Sequence, residues 1–425
     1  MPEIDSSTIA PGSFLPIRHR RFVTLARTLT FAQLRRAKAA GAGTLVVHER
    51  YDGRTSDFSF GEGLPVAELT VLGKGLYPAL VFGGSKGLGR AYVNELWSSE
   101  NLTDLVRFLL RLTQPRRRRL DALGRRFRFL FSLGRRSSST SRDRDNIHAH
   151  YDLSNEFFTL MLDETMAYSC AVFANGATTL YDAQVEKFDR ICRKLALRPG
   201  EHVLEIGTGW GGFALHAAQH YGVRVTTTTI SNEQRDLARQ RVADAGLDDR
   251  IEVLDQHYRD LRGTYDALVS IEMIEAVDWR DYPSFFSSLE RLVNDTGRVA
   301  IQAITINDQS FERAKIQPDF IRDLIFPGGC LPSVTAVSAA LRDHTSLRVV
   351  DLEDIGLDYA RTLSMWRDRV AEQRARVAEL GFDDRFLRLW NLYLGYCEAA
   401  FLERHISDVQ MVLHRAASPR APRVA

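Results

Sequence analysis

Val203-Leu204-Glu205-Ile206-Gly207-Thr208-Gly209-Trp210-Gly211-Gly212-Phe213-Ala214 decides the fold of this 425-residue chain. Its apolar start is too short for a helix and carries an acid near its end. A glycine turn follows, and a helix is predicted to begin near Gly212. The stretch therefore reads as a strand, a ligand-cradling loop and a helix. Glycines at Gly207, Gly209 and Gly212 permit positive φ and let backbone N–H groups approach a bound molecule. The same spacing fits a dinucleotide loop, so the glycines alone do not choose the ligand.

Two neighbouring features choose it. Glu205 stands at the carboxyl end of the strand, where its carboxylate can meet a cationic aminoacyl or sulfonium group. S-adenosylmethionine carries both. A dinucleotide site instead wants an acid roughly 20 residues on, at the end of the next strand, to hold a ribose. Here that strand, residues 223–229, ends in Thr226-Thr227-Thr228-Thr229 without a carboxylate. Methyl transfer is favoured over a nicotinamide reaction on this ground.

The length predicts two domains, and 44% hydrophobic with 26% charged residues fits a soluble globular chain. Four cysteines, Cys170, Cys192, Cys330 and Cys397, form no CxxC pair, so neither a zinc site nor a disulfide framework is implied, and a reducing, cytoplasmic compartment fits best. No signal peptide and no apolar run approaching a membrane span is read. The formal net charge of +2 is nearly neutral but unevenly placed.

Residues 1–114 read as a small N-terminal α+β domain. It has a loose start over 1–18, a basic helix over 20–38 striped by Phe22, Leu25, Leu29, Phe31 and Leu34, and a helix from Asn101 to about Thr113. Between them, short runs at 44–49, 56–60, 66–71, 77–82 and 91–94 predict a small antiparallel sheet. Residues 115–145 form an Arg/Ser-rich linker, with arginines from Arg116 to Arg136. A solvated linker and a surface for anionic lipid headgroups both account for it. Nucleic acid is not favoured, because no recognisable nucleic-acid module accompanies the arginines.

Residues 146–425 read as the catalytic domain. His148 and His150 have no further ligands nearby, so no metal is expected. A helix over 180–195 precedes the glycine loop. Strands at 224–228, 251–254, 267–271 and 298–304 then alternate with helical segments. This is the α/β pattern of a doubly wound, mostly parallel sheet with helices on both faces and a ligand at the carboxyl ends of its strands. Residues 366–380 and 386–413 read as two amphipathic helices that pack on the sheet or wall an apolar channel.

Residues 150–173, the glycine loop, Thr229-Ile230-Ser231-Asn232-Glu233-Gln234, Ser270-Ile271-Glu272-Met273-Ile274-Glu275, Phe326-Pro327-Gly328-Gly329-Cys330-Leu331-Pro332-Ser333 and Gly356-Leu357-Asp358-Tyr359 follow one another in order. Together they resemble the cyclopropane-fatty-acyl-phospholipid synthase family. The resemblance implies a class I methyltransferase fold. It also implies transfer of a methyl group from S-adenosylmethionine to the cis double bond of an unsaturated phospholipid acyl chain, through a carbocation. A bound bicarbonate is the implied base, held by Cys170, Glu275, Ile304 and Tyr359. For the cofactor, it assigns Tyr168 and Ser169 to the aminoacyl end and the Gly207, Thr208, Gly209 and Gly211 turn to the methionine portion. Thr229, Ile230 and Gln234 go to ribose and adenine, with Tyr258 beside adenine.

Two positions depart from the pattern. Ala276 and Gln302 stand where many members have histidine, and Gln302 can hydrogen-bond an anion but cannot carry a positive charge. The implied product is a cyclopropane or a 10-methylene chain, the latter passed to a partner reductase. A peripheral position on the inner face of the membrane and a homo-oligomer are further expectations. A methyltransferase of the same fold acting on a small molecule, and a lipid-binding homologue without catalysis, are the alternatives.

Overall fold

The computed structural model describes residues 20–113, 154–317, 320–326 and 328–415. The arginines from Arg116 to Arg136, His148 and His150 lie outside them, as do the two chain ends. Two compact units emerge, one of 1–114 with 385–392 and one of 115–384 with 393–425.

In the first unit β1 (Gly43–Glu49), β2 (Ser56–Glu62), β3 (Val66–Val71) and β4 (Trp97–Ser98) form a sheet of order β2-β1-β3-β4. β1 pairs parallel with β3, so the sheet is mixed and not antiparallel throughout as expected. The expected strands at 77–82 and 91–94 belong instead to the helix Leu76–Val93. Pro78 sits in its first turn, where a missing N–H costs nothing, and Leu76, Tyr77 and Ala79 are buried. An apolar run this short has no period that tells strand from helix. The first helix ends at Leu34, short of the expected 38, and a separate turn of helix covers Ala37–Ala40.

The second unit is built on seven strands: β5 (His202–Ile206), β6 (Arg224–Thr229), β7 (Ile251–Asp255), β8 (Tyr265–Ile271), β9 (Val293–Ile306), β10 (Leu347–Asp354) and β11 (Ile406–Arg415). Their order is β10-β11-β9-β8-β5-β6-β7. β5 through β9 are parallel, whereas β11 inserts antiparallel between β9 and β10. Side chains alternate between two cores. Leu204, Leu268, Val299 and Ile301 face the helices Tyr282–Leu292 and Val334–His344. Val203, Val269 and Ala300 face Leu180–Lys194 and Gly212–Tyr221. Burial on both faces is why these strands read as unbroken apolar runs.

The chain leaves β5 in one direction across the sheet, to β6 and β7, and β8 lies on the other side of β5. A crevice opens at the carboxyl ends of strands at such a reversal. The carboxyl-terminal region differs from expectation. Gly356–Glu372 and Arg374–Glu379 are two helices where one was read over 366–380. The helix Asp384–Leu402 stops early, and Ile406–Arg415 is a strand, not helix.

Candidate active site

The glycine turn follows β5 at the reversal point. Gly207, Gly209 and Gly211 have φ of 101°, 50° and 85°, where side chains are disfavoured. Gly211 takes the left-handed conformation that had been expected of Gly212. Gly212 instead begins the helix and must be glycine because a Cβ there would stand 2.6 Å from the Thr165 carbonyl oxygen. A Cβ at Gly209 would meet nothing within 4 Å, so the turn borders open space. Beneath it, Glu205 is buried and accepts from the Thr227 hydroxyl at 2.7 Å, which lies 2.8 Å from Thr208 Oγ1. Burial pushes the Glu205 carboxyl up to about 8.

At the end of β6, Thr229 Oγ1 donates to Gln234 Oε1 at 3.0 Å and accepts from the Ser231 N–H at 3.2 Å. Ser231 caps the helix Asn232–Asp244, which fixes Gln234 beside Thr229, and Ile230 between them is half-buried. Tyr258 lies in the core with its ring edge-on to Phe285 at 5.4 Å. Tyr168, Ser169 and Cys170 share one loop, anchored by Gln184 Nε2 on the Ser169 carbonyl at 2.9 Å and by the Ala171 N–H on Thr362 Oγ1 at 3.1 Å. Lys187 is fully buried and donates to Ser169 Oγ at 2.6 Å, and burial lowers its ammonium to about 8.

The other expected site residues gather at the carboxyl ends of β8 and β9, around a carboxylate that sequence reasoning did not assign. Glu272 Oε1 accepts from the Cys170 N–H at 2.7 Å and from Gln302 Nε2 at 2.8 Å, and Oε2 accepts from the Tyr359 hydroxyl at 2.6 Å. Glu272 has φ of 47°, and its N–H is pinned to the Gln302 carbonyl at 2.8 Å. A non-glycine residue in that region costs roughly 1–3 kcal/mol and marks functional ground. Gln302 is oriented from behind: Gln410 Nε2 donates to its Oε1 at 3.1 Å, leaving Nε2 to bridge Glu272 and, at 3.0 Å, Asp408. Burial, then the charges of Glu272 and Glu275, hold the Asp408 carboxyl well above the usual range.

Glu275 lies one turn on, in the short 3₁₀ helix Ile274–Ala276. Its Oε1 accepts from the Ile304 N–H, whereas the buried Oε2 has no hydrogen-bond partner among the described residues. Burial and, secondly, Glu272 push this carboxyl up to about 8. Aromatic rings surround the carboxylates. Tyr359 stacks on Phe401 at 4.6 Å and meets Trp366 edge-on at 6.0 Å. Tyr168 lies 5.2 Å from Trp366 and shares a hydrogen bond with the Tyr393 hydroxyl at 2.8 Å. Burial keeps the Tyr359 and Tyr393 phenols protonated, so both remain donors. Among the described residues no group of His, Cys, Asp and Glu side chains could hold a metal ion. Two acids three residues apart at a strand end, with glutamine where histidine is usual, was the signal for Glu272.

The glycine turn at the reversal point is shared with dinucleotide-binding sheets, but the seven-stranded order with β11 antiparallel between β9 and β10 is that of a class I methyltransferase. The profile described as mycolic acid cyclopropane synthetase matches residues 138–411, and the chain belongs to that family. Tuberculostearic acid methyltransferase UfaA1 of Mycobacterium tuberculosis is 41% identical over 343 residues, covering 79% of this chain and 80% of that protein. Cyclopropane-fatty-acyl-phospholipid synthase of Escherichia coli is 33% identical over 359 residues, 83% and 89% of the two chains. The crystal structure of mycolic acid cyclopropane synthase CmaA1 with SAH and CTAB superposes with a TM-score of 0.60 at 30% identity. It covers 64% of this chain and 98% of that one.

Proposed function

We propose that this enzyme transfers a methyl group from S-adenosylmethionine to the cis double bond of an unsaturated phospholipid acyl chain, giving a cyclopropane or a 10-methylene chain. The observation that carries the reading is the aromatic-walled group of carboxylates at the end of β8, where Met273 lies 3.3 Å from the point that a Cβ on Gly207 of the glycine turn would take. The cofactor fits, because the Gly207–Gly211 turn borders space that a Cβ at Gly209 would enter. When bound, S-adenosylmethionine supplies an electrophilic carbon on a sulfonium. Glu205, Thr208, Tyr168 and Ser169 would hold its amino-acid end, and Thr229, Ile230 and Gln234 its nucleoside, with Tyr258 packed behind. An alkene is a weak nucleophile, so its π electrons must be held in line with that carbon in a dry slot. The faces of Tyr359, Tyr168 and Trp366 would stabilise the resulting cation. Cys170, Gln302, Ile304 and Glu275 would fix the charge distribution around it.

Bicarbonate, the base implied by resemblance, does not fit. The Cys170 N–H and the Tyr359 hydroxyl already donate to Glu272, and Gln302 adds no positive charge to hold a second anion.

We assign residues 1–114, 115–145 and 146–425 to an accessory domain, a linker and the catalytic domain. The arginines from Arg116 to Arg136 are assigned to anionic lipid at the inner face of the membrane. A homo-oligomer and, for a 10-methylene product, a reductase that consumes it complete the proposal. Among the described residues no helix is long and apolar enough to cross a membrane. Expression in a host rich in oleate, with mass spectrometry of its fatty acids, tests the reading: fatty acids that carry one added carbon at the former double bond are expected, and an unchanged profile would refute it.

A further inference from the structure

We infer that Glu272 is the resident base of this enzyme, the side chain that takes the proton released when the methylated acyl chain collapses to product. The inference rests on the methyl-transfer reading above. Glu272 lies at the carboxyl end of β8, in a backbone conformation of φ 47°, and its carboxylate receives three donors: the Cys170 N–H, Gln302 Nε2 and the Tyr359 hydroxyl. Two of these, from Cys170 and Tyr359, are the groups that resemblance had reserved for a diffusible anion. The carboxylate is thus delivered covalently, already oriented, beside the rings that face the cation. A base fixed in place need not be captured from solution at each turnover.

The neighbours support this role. Around Glu272 stand Lys187 on the helix Leu180–Lys194, Glu275 after β8, Asp408 on β11, and Tyr359 and Tyr393 on the last helices, with the Cys170 thiol on the facing loop. Burial, then the charge of Glu272, holds the Asp408 carboxyl well above the usual carboxylate range, burial keeps the two phenols protonated, and burial pushes Glu275 up to about 8. Gln302, held by Gln410, is neutral and stays a donor at every pH. An added anion would meet the Glu272 carboxylate already on the Cys170 and Tyr359 donors, with the buried Lys187 as the nearby cation.

The alkene π pair forms the new bond to the methyl carbon while the C–S pair returns to sulfur. The cation left on the neighbouring chain carbon then loses a proton of the new methyl group to Glu272 Oε. The freed C–H pair closes the three-membered ring directly, or, once a hydride has moved from the methylated carbon to its neighbour and left the positive charge on the methylated carbon, forms the methylene double bond. The proton afterwards leaves to solvent.

The test compares full-length wild type, Glu272→Gln and Glu272→Gly on vesicles of dioleoyl phosphatidylglycerol with S-adenosylmethionine, in buffers freed of carbon dioxide and in buffers with added bicarbonate or formate. Wild-type turnover is expected to be indifferent to bicarbonate. Glu272→Gln should lose at least about 100-fold in turnover while S-adenosylmethionine affinity, measured by calorimetry, changes less than about threefold. Glu272→Gly, which frees the Cys170 and Tyr359 donors, should regain activity as formate or bicarbonate is raised. Wild-type turnover that falls when bicarbonate is removed would overturn the inference. So would a Glu272→Gln enzyme within threefold of wild type. If neither variant folds, the wild-type bicarbonate arm still decides. A wild type that makes no methylated lipid at all would instead defeat the underlying function, and the inference with it.

Discussion

Glu275 places one carboxylate oxygen on the Ile304 N–H and leaves the other buried without a hydrogen-bond partner among the described residues. Its folded-state value near 8 lies above the ordinary carboxylate value, so between about 4.5 and 8 the folded protein holds a proton that the unfolded chain has lost. Ionisation there destabilises the fold as pH rises, by at most about 1.4 kcal/mol per pH unit. Glu275→Gln keeps both hydrogen-bonding functions and cannot ionise. Its urea midpoint should therefore gain on wild type between pH 6 and pH 8, and a difference independent of pH would contradict the assignment. Tyr359→Phe tests the neighbouring donor. It keeps the stack on Phe401 and removes the hydroxyl that donates to Glu272. A hydrogen bond to a charged group contributes about 1.5–3 kcal/mol to stability, so the melting temperature should fall, and turnover should fall with it as Glu272 loses one of the donors that orient it. Turnover equal to wild type would show that the hydroxyl is not used. At this scale the sequence exposed Glu275, Tyr359 and Cys170 through the motifs around them, and Gln302 through its departure from histidine. Glu272 was hidden because its meaning depends on Gln302, thirty positions away, and on a backbone angle that no residue type announces.

Among elements, the helix that begins at Gly212 is held close to the loop carrying Thr165. A Cβ at Gly212 would stand 2.6 Å from a backbone oxygen and 3.2 Å from the Phe188 ring. Backbone cannot retreat cheaply, so Gly212→Ala should destabilise by about 1–3 kcal/mol despite the better helix propensity of alanine. A calorimetric melting temperature at or above that of wild type would contradict this packing. The parallel strands were legible because each sits between helices and glycine or proline punctuation. β11 was not. Its middle is buried on both faces, which erases the alternation that marks a strand, and the preceding helix stops without glycine, Arg404 taking φ of 50° in its place. The helix Leu76–Val93 was misread for a related reason: glycines at Gly83 and Gly84 look like turn residues, yet only Gly84 breaks the helical geometry.

For the whole molecule, the proposed membrane role belongs to the arginines between Arg116 and Arg136. Each basic residue near an anionic surface contributes about 1 kcal/mol, screened by salt. Replacing Arg116, Arg117, Arg118 and Arg119 by glutamine should weaken sedimentation with phosphatidylglycerol vesicles at low salt, with the difference shrinking as salt rises; unchanged binding would remove these residues from docking. Composition and motif order sufficed for the catalytic domain because a ligand loop, a sheet reversal and an acid-bearing strand end recur in fixed sequence. They were weaker for the first unit, whose packing depends on apolar runs with no chemistry attached. The central claim is methyl transfer to an acyl-chain double bond, and one measurement tests it most directly. Purified protein is incubated with S-adenosylmethionine bearing a trideuterated methyl group and with dioleoyl phosphatidylglycerol vesicles, and the released fatty acids are weighed by mass spectrometry. The account predicts an oleoyl chain that carries one added carbon at the former double bond and keeps two of the three deuterium atoms, because one is lost to the base. Oleate left unlabelled while the cofactor is consumed, or a label found on the headgroup alone, would contradict it.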